Sequence, residues 1–190
     1  MMKQKIIATA TDLTQKYGLN AFSYQDISKI VGITKASIHH HFPNKIDLSR
    51  AILDVYITNF FAQITIFEQT IHEPLELINK YINIFKDVAI QNDKLCLCLM
   101  YASEYLSLDN VTQELIKKFY LDNELWLGKI LSTYLNQPEV DTQHSSKIMF
   151  ATLQGLLIRH RIINSLDDFD NLVKTIFVSL QVPLKLYKKW

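Results

Sequence analysis

Apolar residues recur every three or four positions along almost the whole chain, which is the spacing of one face of an α-helix. Glycine and proline, at four residues each, are too sparse to supply the turns of a β-rich protein. Capping residues mark helix ends: Gly18 closes a first apolar stripe, and Ser23, three residues before Asp26, begins the next helix with a capping box. The pattern predicts an all-α chain of about nine helices, with three short helices and the start of a fourth in the first 50 residues.

The charges are distributed unevenly, although the net charge is only +1. Residues 1–50 contain seven lysines and arginines against three acidic residues, a net charge of +4, and the remainder carries −3. A basic N-terminal quarter on a mildly acidic body suggests a part that faces nucleic acid.

Membrane and secretory segments are not recognisable in the sequence. The longest stretch without a charged residue, 55–67, is shorter than the roughly 20 apolar residues of a membrane-spanning helix. Asp12 and Gln15 interrupt the apolar stretch that a signal peptide would need. We therefore expect a soluble, cytoplasmic protein with no membrane partner.

Three consecutive histidines, His39, His40 and His41, stand between a glycine and a proline, and histidine is a common metal ligand. Successive residues of a helix differ by about 100° around its axis, so three in a row spread over roughly 200°. Their imidazoles cannot converge on one ion, and no pair at i, i+4 replaces them. We expect no metal site and no cofactor.

The residues around Gly32 fit a helix-turn-helix unit, in which two short helices cross closely. Ser28 is small enough for the crossing, and Gly32 tolerates the positive φ of the turn. The apolar frame of this unit consists of Ile27, Val31, Ile33 and Ile38. These residue types at this spacing predict a DNA-binding element.

The second helix of this unit presents a polar outer face once Ile38 is placed inside. The outer positions are Ala36 and His40 at the centre, Lys35 and His39 on one flank, and Ser37 on the other. Such side chains suit contacts to phosphates and base edges from a helix in the major groove. An ordinary solvated face is the alternative.

The stretch IIATATDLTQKYGLNAFSYQDISKIVGITKASIHHHFPNKIDL, residues 6–48, resembles the DNA-binding module of the TetR/AcrR family of bacterial repressors. The resemblance implies a helix-turn-helix domain over residues 1–46 and a ligand-binding and dimerisation domain over residues 47–190. The DNA contacts that it implies are Tyr24, Gln25, Thr34, Lys35, Ala36, Ser37, His39, His40 and Lys45. Thr34 and Lys45 would bind phosphates. His39 occupies a position where the family usually has tyrosine. His41 is expected to pack beside Phe42 as a hinge.

The same resemblance implies a homodimer, in which the last two long helices of each subunit form a four-helix bundle. The segment KIMFATLQGLLIRHRII, residues 147–163, agrees with this because it is apolar on more than one face. Burial within one subunit is the alternative. The residues expected at the interface are Phe150, Leu153, Gly155, Leu157, Ile176 and Leu180. A two-fold dimer would place two recognition helices roughly 34 Å apart on a near-palindromic operator in double-stranded DNA.

A small-molecule inducer follows from the resemblance as well, because in this family a ligand of the C-terminal domain releases the operator. Many aromatic residues and few charges favour a largely apolar inducer. The segment LCLCLMYASEYLSL also resembles a subgroup in which a cysteine-leucine pair, here starting at Cys96, responds to electrophiles or oxidants; a buried, inert cysteine is the alternative. The candidate ligand or sensing residues are Phe61, Phe85, Cys96, Met100, Tyr101, Phe119 and Trp126.

The run KLCLCLMYASEY, residues 94–105, is uniformly apolar between charges and predicts a short buried helix, with a buried strand as the alternative. No G-x-S-x-G, H-E-x-x-H or G-x-G-x-x-G motif is present, so we expect no catalytic residues and no enzyme. A helical protein–protein adaptor is the remaining alternative. It leaves the glycine turn, the caps and the basic N-terminal quarter without a purpose, so a ligand-responsive transcriptional repressor is the preferred interpretation.

Overall fold

The computed structural model describes residues 2–91 and 94–179, and within these ranges the chain contains helices and no strands. The helices are α1 (Met2–Tyr17), α2 (Tyr24–Val31), α3 (Lys35–His41), α4 (Lys45–Thr70), α5 (Pro74–Ile90), α6 (Leu97–Ser103), α7 (Asn110–Leu135), α8 (Glu139–Ile163) and α9 (Leu166–Ser179). A short 3₁₀ turn, Tyr105–Ser107, lies between α6 and α7. The prediction of an all-α chain of about nine helices is confirmed for the described residues. The run 94–105 contains a helix, α6, and not the alternative strand.

Local capping explains why the first three helices begin and end where they do. Gly18 after α1 and Gly32 after α2 have φ values of +102° and +74°, which glycine adopts without a steric penalty. The Ser23 N–H donates to the Asp26 carboxylate (2.9 Å), and the Thr34 hydroxyl accepts from the Ser37 N–H (3.2 Å). These caps satisfy backbone groups that helix ends leave without partners.

The chain forms two compact units. Among the described residues, the first unit contains those up to Phe61 together with Leu95–Lys117, and the second unit contains the rest. The division into a DNA-binding domain, residues 1–46, and a ligand-binding and dimerisation domain, residues 47–190, is defined by function and stays a prediction.

The first unit packs its short helices around buried isoleucines. Ile6 of α1, Ile27 of α2 and Ile38 of α3 are fully buried, and each such side chain contributes about 1.5–3 kcal/mol when it leaves water. α1 packs against α2 and α6, and α2 packs against α3. None of the three helices could bury enough apolar surface alone, so this shared core holds the outer face of α3 in place.

The second unit is built on α5, α8 and α9, with α5 against α8 and α8 against α9. Phe85 and Phe150 meet edge to face at a ring-centroid distance of 6.1 Å within its interior. A buried ion pair joins Lys86 of α5 to Asp170 of α9, at 2.9 Å from the ammonium to each carboxylate oxygen. No helix among the described residues is both long and apolar enough to cross a membrane.

Candidate nucleic-acid interface

The outer face of α3 has the orientation that the sequence pattern predicted. Ile38 and Phe42 are buried, whereas Lys35, Ala36, His39 and His40 are exposed and Ser37 is half-buried. Thr34, at the start of the helix, and Gln25, on α2, are exposed as well. The element therefore presents a lysine, two imidazoles, a methyl group and a hydroxyl together on its solvent side.

Tyr24 differs from the other predicted contacts because it is only 7% exposed. Its hydroxyl lies 2.9 Å from the carbonyl oxygen of Phe42 and 2.6 Å from that of Asn44, so its single proton is shared between two acceptors. Burial, with a smaller contribution from the charge of Asp47, raises the pKa of this phenol. Tyr24 therefore ties α2 to the connection between α3 and α4 as an uncharged donor.

His39 is held by two neighbours although its side chain is exposed. Its Nδ1 lies 3.2 Å from the carbonyl oxygen of Pro43, and its ring meets the Tyr24 ring edge-on at a centroid distance of 4.7 Å. His40 and His41 instead contact each other, with ring centroids 5.6 Å apart. Among the described residues, no three His, Cys, Asp or Glu side chains are grouped so as to hold a metal ion.

Lys45 at the start of α4 is half-buried. Its ammonium donates to the carbonyl oxygen of Phe22 (3.1 Å) and lies 5.2 Å from the centre of the Phe22 ring. Burial lowers the pKa of Lys45, and the negative charge of Glu104 partly opposes that shift. The contact to Phe22 uses one of the three ammonium donors, which leaves two for a phosphate.

Lys3 is a basic residue near this surface that the sequence patterns did not single out. Its ammonium lies 5.5 Å from the centre of the Phe42 ring, at the C-terminal end of α3. Phe42 is far from Lys3 in sequence, so only the packing of α1 reveals their proximity.

The two cysteines are free thiols and both are buried, with Cys96 only 1% exposed. The Tyr56 hydroxyl donates to the Cys96 sulfur at 3.6 Å. Burial opposes ionisation of Cys96, but hydrogen bonds from Cys98, Tyr56 and backbone N–H groups prevail and lower its pKa to about 6. Burial raises the pKa of Cys98 well above the ordinary value for a thiol. Of the two cysteines in the predicted sensing segment, Cys96 is therefore the one whose pKa is lowered.

The predicted ligand residues are divided between the two units. The first unit contains Phe61, Cys96, Met100 and Tyr101, and the second contains Phe85, Phe119 and Trp126. Within the second unit Trp126 stacks on Tyr81 at 5.1 Å and donates to the Glu68 carboxylate at 3.0 Å. Phe85 and Phe119 both pack against Phe150. The polar partners of Trp126 show that this aromatic cluster is not purely apolar.

The residues predicted at a dimer interface occupy different environments. Phe150, Leu153, Leu157 and Ile176 are buried inside the second unit, Gly155 is exposed, and Leu180 lies outside the described residues. A stripe on the opposite side of α8 is exposed instead; it consists of Ile148, Ala151, Gly155, Ile158 and Ile162. We call this set the α8 stripe. Its spacing of three and four residues was readable in the sequence, but an all-round apolar helix does not indicate which side is covered.

A helix-turn-helix element of this geometry, near the N-terminus of a chain whose described elements are all helical, is typical of DNA-binding transcriptional regulators. Residues 6–52 match the family described as bacterial regulatory proteins, tetR family. The matched segment contains α2, α3 and the turn between them, so the N-terminal helix-turn-helix of this chain is of the TetR type.

Proteins similar to this chain agree with the family. The HTH-type transcriptional regulator RutR of Escherichia coli strain K12 is 25% identical over 155 residues, which cover 80% of this chain and 72% of RutR. A TetR transcriptional regulator from Legionella pneumophila is 29% identical with a TM-score of 0.86, covering 93% of this chain and 96% of that one. A TetR family regulator from Agrobacterium tumefaciens is also 29% identical, with a TM-score of 0.77 and coverage of 84% and 87%.

Proposed function

We propose that the chain is a homodimeric repressor, acting in the cytoplasm, that a small molecule releases from a near-palindromic DNA operator. The observation that carries this proposal is the outer face of α3, where Lys35, His39 and His40 are exposed while Ile38 anchors the helix from behind. A helix held by its apolar side alone can enter the major groove with its polar side forward.

The proposed DNA contacts are of two kinds. Ala36 and His40, the outermost residues of α3, read base edges, because only side chains at that position reach the floor of the groove. The remaining contacts position the protein on phosphates or at the edge of the groove; they are Gln25, Thr34, Lys35, Ser37, His39 and Lys45. Tyr24 supports these contacts indirectly, because its hydroxyl donates to the carbonyl oxygens of Phe42 and Asn44 and so fixes the connection between α3 and α4.

The α8 stripe supports the proposed homodimer. An apolar row along one side of a long helix is self-complementary when a two-fold axis brings two copies together. Ile148, Ile158 and Ile162 are 51%, 42% and 73% exposed, so a partner that covered them would add roughly half of the about 1.5–3 kcal/mol that full burial of each side chain contributes. Gly155 in the middle of the row lets two helix backbones approach closely. The predicted interface residues Phe150, Leu153, Leu157, Ile176 and Leu180 would then support this surface or extend it.

The proposed inducer is a small, largely apolar or electrophilic molecule. The lowered pKa of Cys96 supports an electrophile, because the thiolate is the reactive form, whereas its burial supports the alternative of an inert cysteine. The aromatic residues Phe85, Phe119 and Trp126 support an apolar ligand. Release requires only about 1–3 kcal/mol of coupling between the ligand and DNA sites.

The test is selection of genomic DNA fragments by the purified protein at physiological salt, followed by sequencing. We expect enrichment of one short near-palindrome. A matched variant, Ala36→Glu, places a negative charge at the centre of the outer face of α3 and should abolish enrichment while the helical circular dichroism signal stays unchanged. No enrichment by a folded, dimeric wild-type protein would contradict the repressor proposal and favour the protein–protein adaptor.

A further inference from the structure

The orientation of the His39 ring determines which atom it can offer to DNA. Its Nδ1 lies 3.2 Å from the Pro43 carbonyl oxygen, and a carbonyl oxygen can only accept a hydrogen bond. Nδ1 therefore carries a proton in this contact. Tyr24, packed edge-on against the ring at 4.7 Å, keeps the imidazole in this position. The second nitrogen, Nε2, remains for a partner, and the side chain is exposed.

His39 lies on a flank of α3 that also carries Lys35. The two residues are one helical turn apart, so their side chains share the same side of the helix. A helix in the major groove turns its outermost residues to the bases and its flanks toward the bordering phosphates. The neutral ring would present the lone pair of Nε2 to a phosphate oxyanion and repel it. Protonation at Nε2 turns the same atom into a charged donor.

We propose that His39 is a proton-dependent phosphate contact. When the protein binds DNA, Nε2 takes up one proton from solvent and donates it in a charge-assisted hydrogen bond to a non-bridging phosphate oxygen. Nδ1 keeps its hydrogen bond to the Pro43 carbonyl oxygen throughout. This inference deepens the proposed function and rests on it.

The groups around the ring determine the sign of the pH dependence. Lys35 of α3 lies on the same flank as His39, and Tyr24 of α2 is an uncharged phenol. Burial and, to a smaller degree, the negative charge of Asp47 in α4 raise the pKa of Tyr24. The Pro43 carbonyl group that accepts from the ring belongs to the connection between α3 and α4. A phosphate oxyanion adds a strong preference for the imidazolium. DNA affinity should therefore rise as pH falls across the histidine range of about pH 5–8.

The experiment measures affinity for an enriched operator fragment at pH 8 and pH 5.5, each over a series of salt concentrations. Affinity should be about tenfold higher per subunit at pH 5.5, because only the protonated ring donates a charge-assisted hydrogen bond to the phosphate. A new phosphate contact should also steepen the slope of log K against log salt by about 0.9 per subunit at the lower pH. His39→Gln should lose both changes. His41→Gln, on the adjacent position, should keep both.

A second measurement tests the orientation without DNA. Nitrogen-15 NMR of the free protein above pH 8 should show the Nδ1–H tautomer for the imidazole whose signals disappear in His39→Gln. The Nε2–H tautomer would overturn the proposal, and so would a His39→Gln protein that keeps the pH-dependent gain and the steeper salt slope. Wild-type protein that binds no operator at any pH contradicts the proposed function as well, whereas pH-independent binding contradicts only the role of His39.

Discussion

Removing the buried lysine of the α5–α9 ion pair should destabilise the protein far more than removing an exposed arginine. The side chains of Lys86 and Asp170 are 11% and 5% exposed, and the ammonium lies 2.9 Å from both carboxylate oxygens. In Lys86→Met an unbranched thioether side chain of similar length fills the same space, so the change removes the charge and little volume. Asp170 then stays buried without the ammonium group of Lys86, and breaking a buried ion pair in this way costs about 3–5 kcal/mol.

The matched control is the exposed ion pair between α8 and α9. Arg159 and Asp168 lie 2.7 Å apart, but their side chains are 44% and 41% exposed. Water and salt screen such a pair, so Arg159→Met should cost about 0–1 kcal/mol. The double variant Lys86→Met with Asp170→Leu replaces both buried charges by apolar groups. Its stability should return to within about 1–2 kcal/mol of the wild-type value, because both desolvation penalties disappear.

The assay is urea unfolding followed by circular dichroism at one fixed protein concentration, because dimerisation would make the apparent stability depend on concentration. Lys86→Met should shift the midpoint strongly downward, Arg159→Met should barely shift it, and the double variant should recover. Equal, small losses for the two single variants would refute the reasoning. So would a double variant less stable than Lys86→Met, since that would mean that the pair contributes packing and not charge compensation.

Three further predictions concern the proposed function. Lys45→Ala should weaken binding to all DNA sequences alike and reduce the slope of log K against log salt by about 0.9 per subunit. His40→Ala should instead change the preference among sequences in a binding-site library. Equal losses across the library for both variants would contradict these roles. Ile158→Glu should convert a dimer into a monomer in analytical ultracentrifugation while the helical circular dichroism signal is retained. An unchanged mass would exclude the α8 stripe as the dimer interface. Alkylation of Cys96, followed by mass spectrometry, should accelerate as pH rises through about 6, where its thiolate forms, and a midpoint near 9 would contradict the lowered pKa.

The helix-turn-helix element was predictable because its signals are local. Gly32 adopts its positive φ without steric cost, Thr34 caps the helix that follows it, and the burial of Ile38 fixes which residues face outward. Each of these depends on neighbours within a few positions. The tertiary roles of Tyr24 and Lys45 depend instead on carbonyl groups at Phe42 and Phe22, some twenty residues away in the chain. No local pattern reveals such pairs.

In helix α8 the spacing of apolar residues does not predict which side of the helix is buried. Its sequence is apolar on more than one side, and Phe150, Leu153 and Leu157 point into the second unit while Ile148, Ile158 and Ile162 remain exposed. The larger phenylalanine and the leucines match the aromatic interior formed with Phe85 and Phe119. The choice of side is therefore made by the shape of neighbouring helices, which the sequence of α8 alone does not contain.

The contacts of α6 give the proposed release a physical route within the first unit. Leu95, directly before Cys96, is joined twice to Gln15 of α1: its N–H donates to the Gln15 carbonyl oxygen (3.1 Å), and its carbonyl oxygen accepts from the Gln15 amide (3.0 Å). At the other end of α6, the Asn20 amide donates to the Glu104 carboxylate. Gln15 and Leu95 are both buried, and hydrogen bonds between buried groups are costly to break. A ligand or covalent change that displaces Cys96 would therefore pull α1 along with it, and α1 shares the buried core that holds α3.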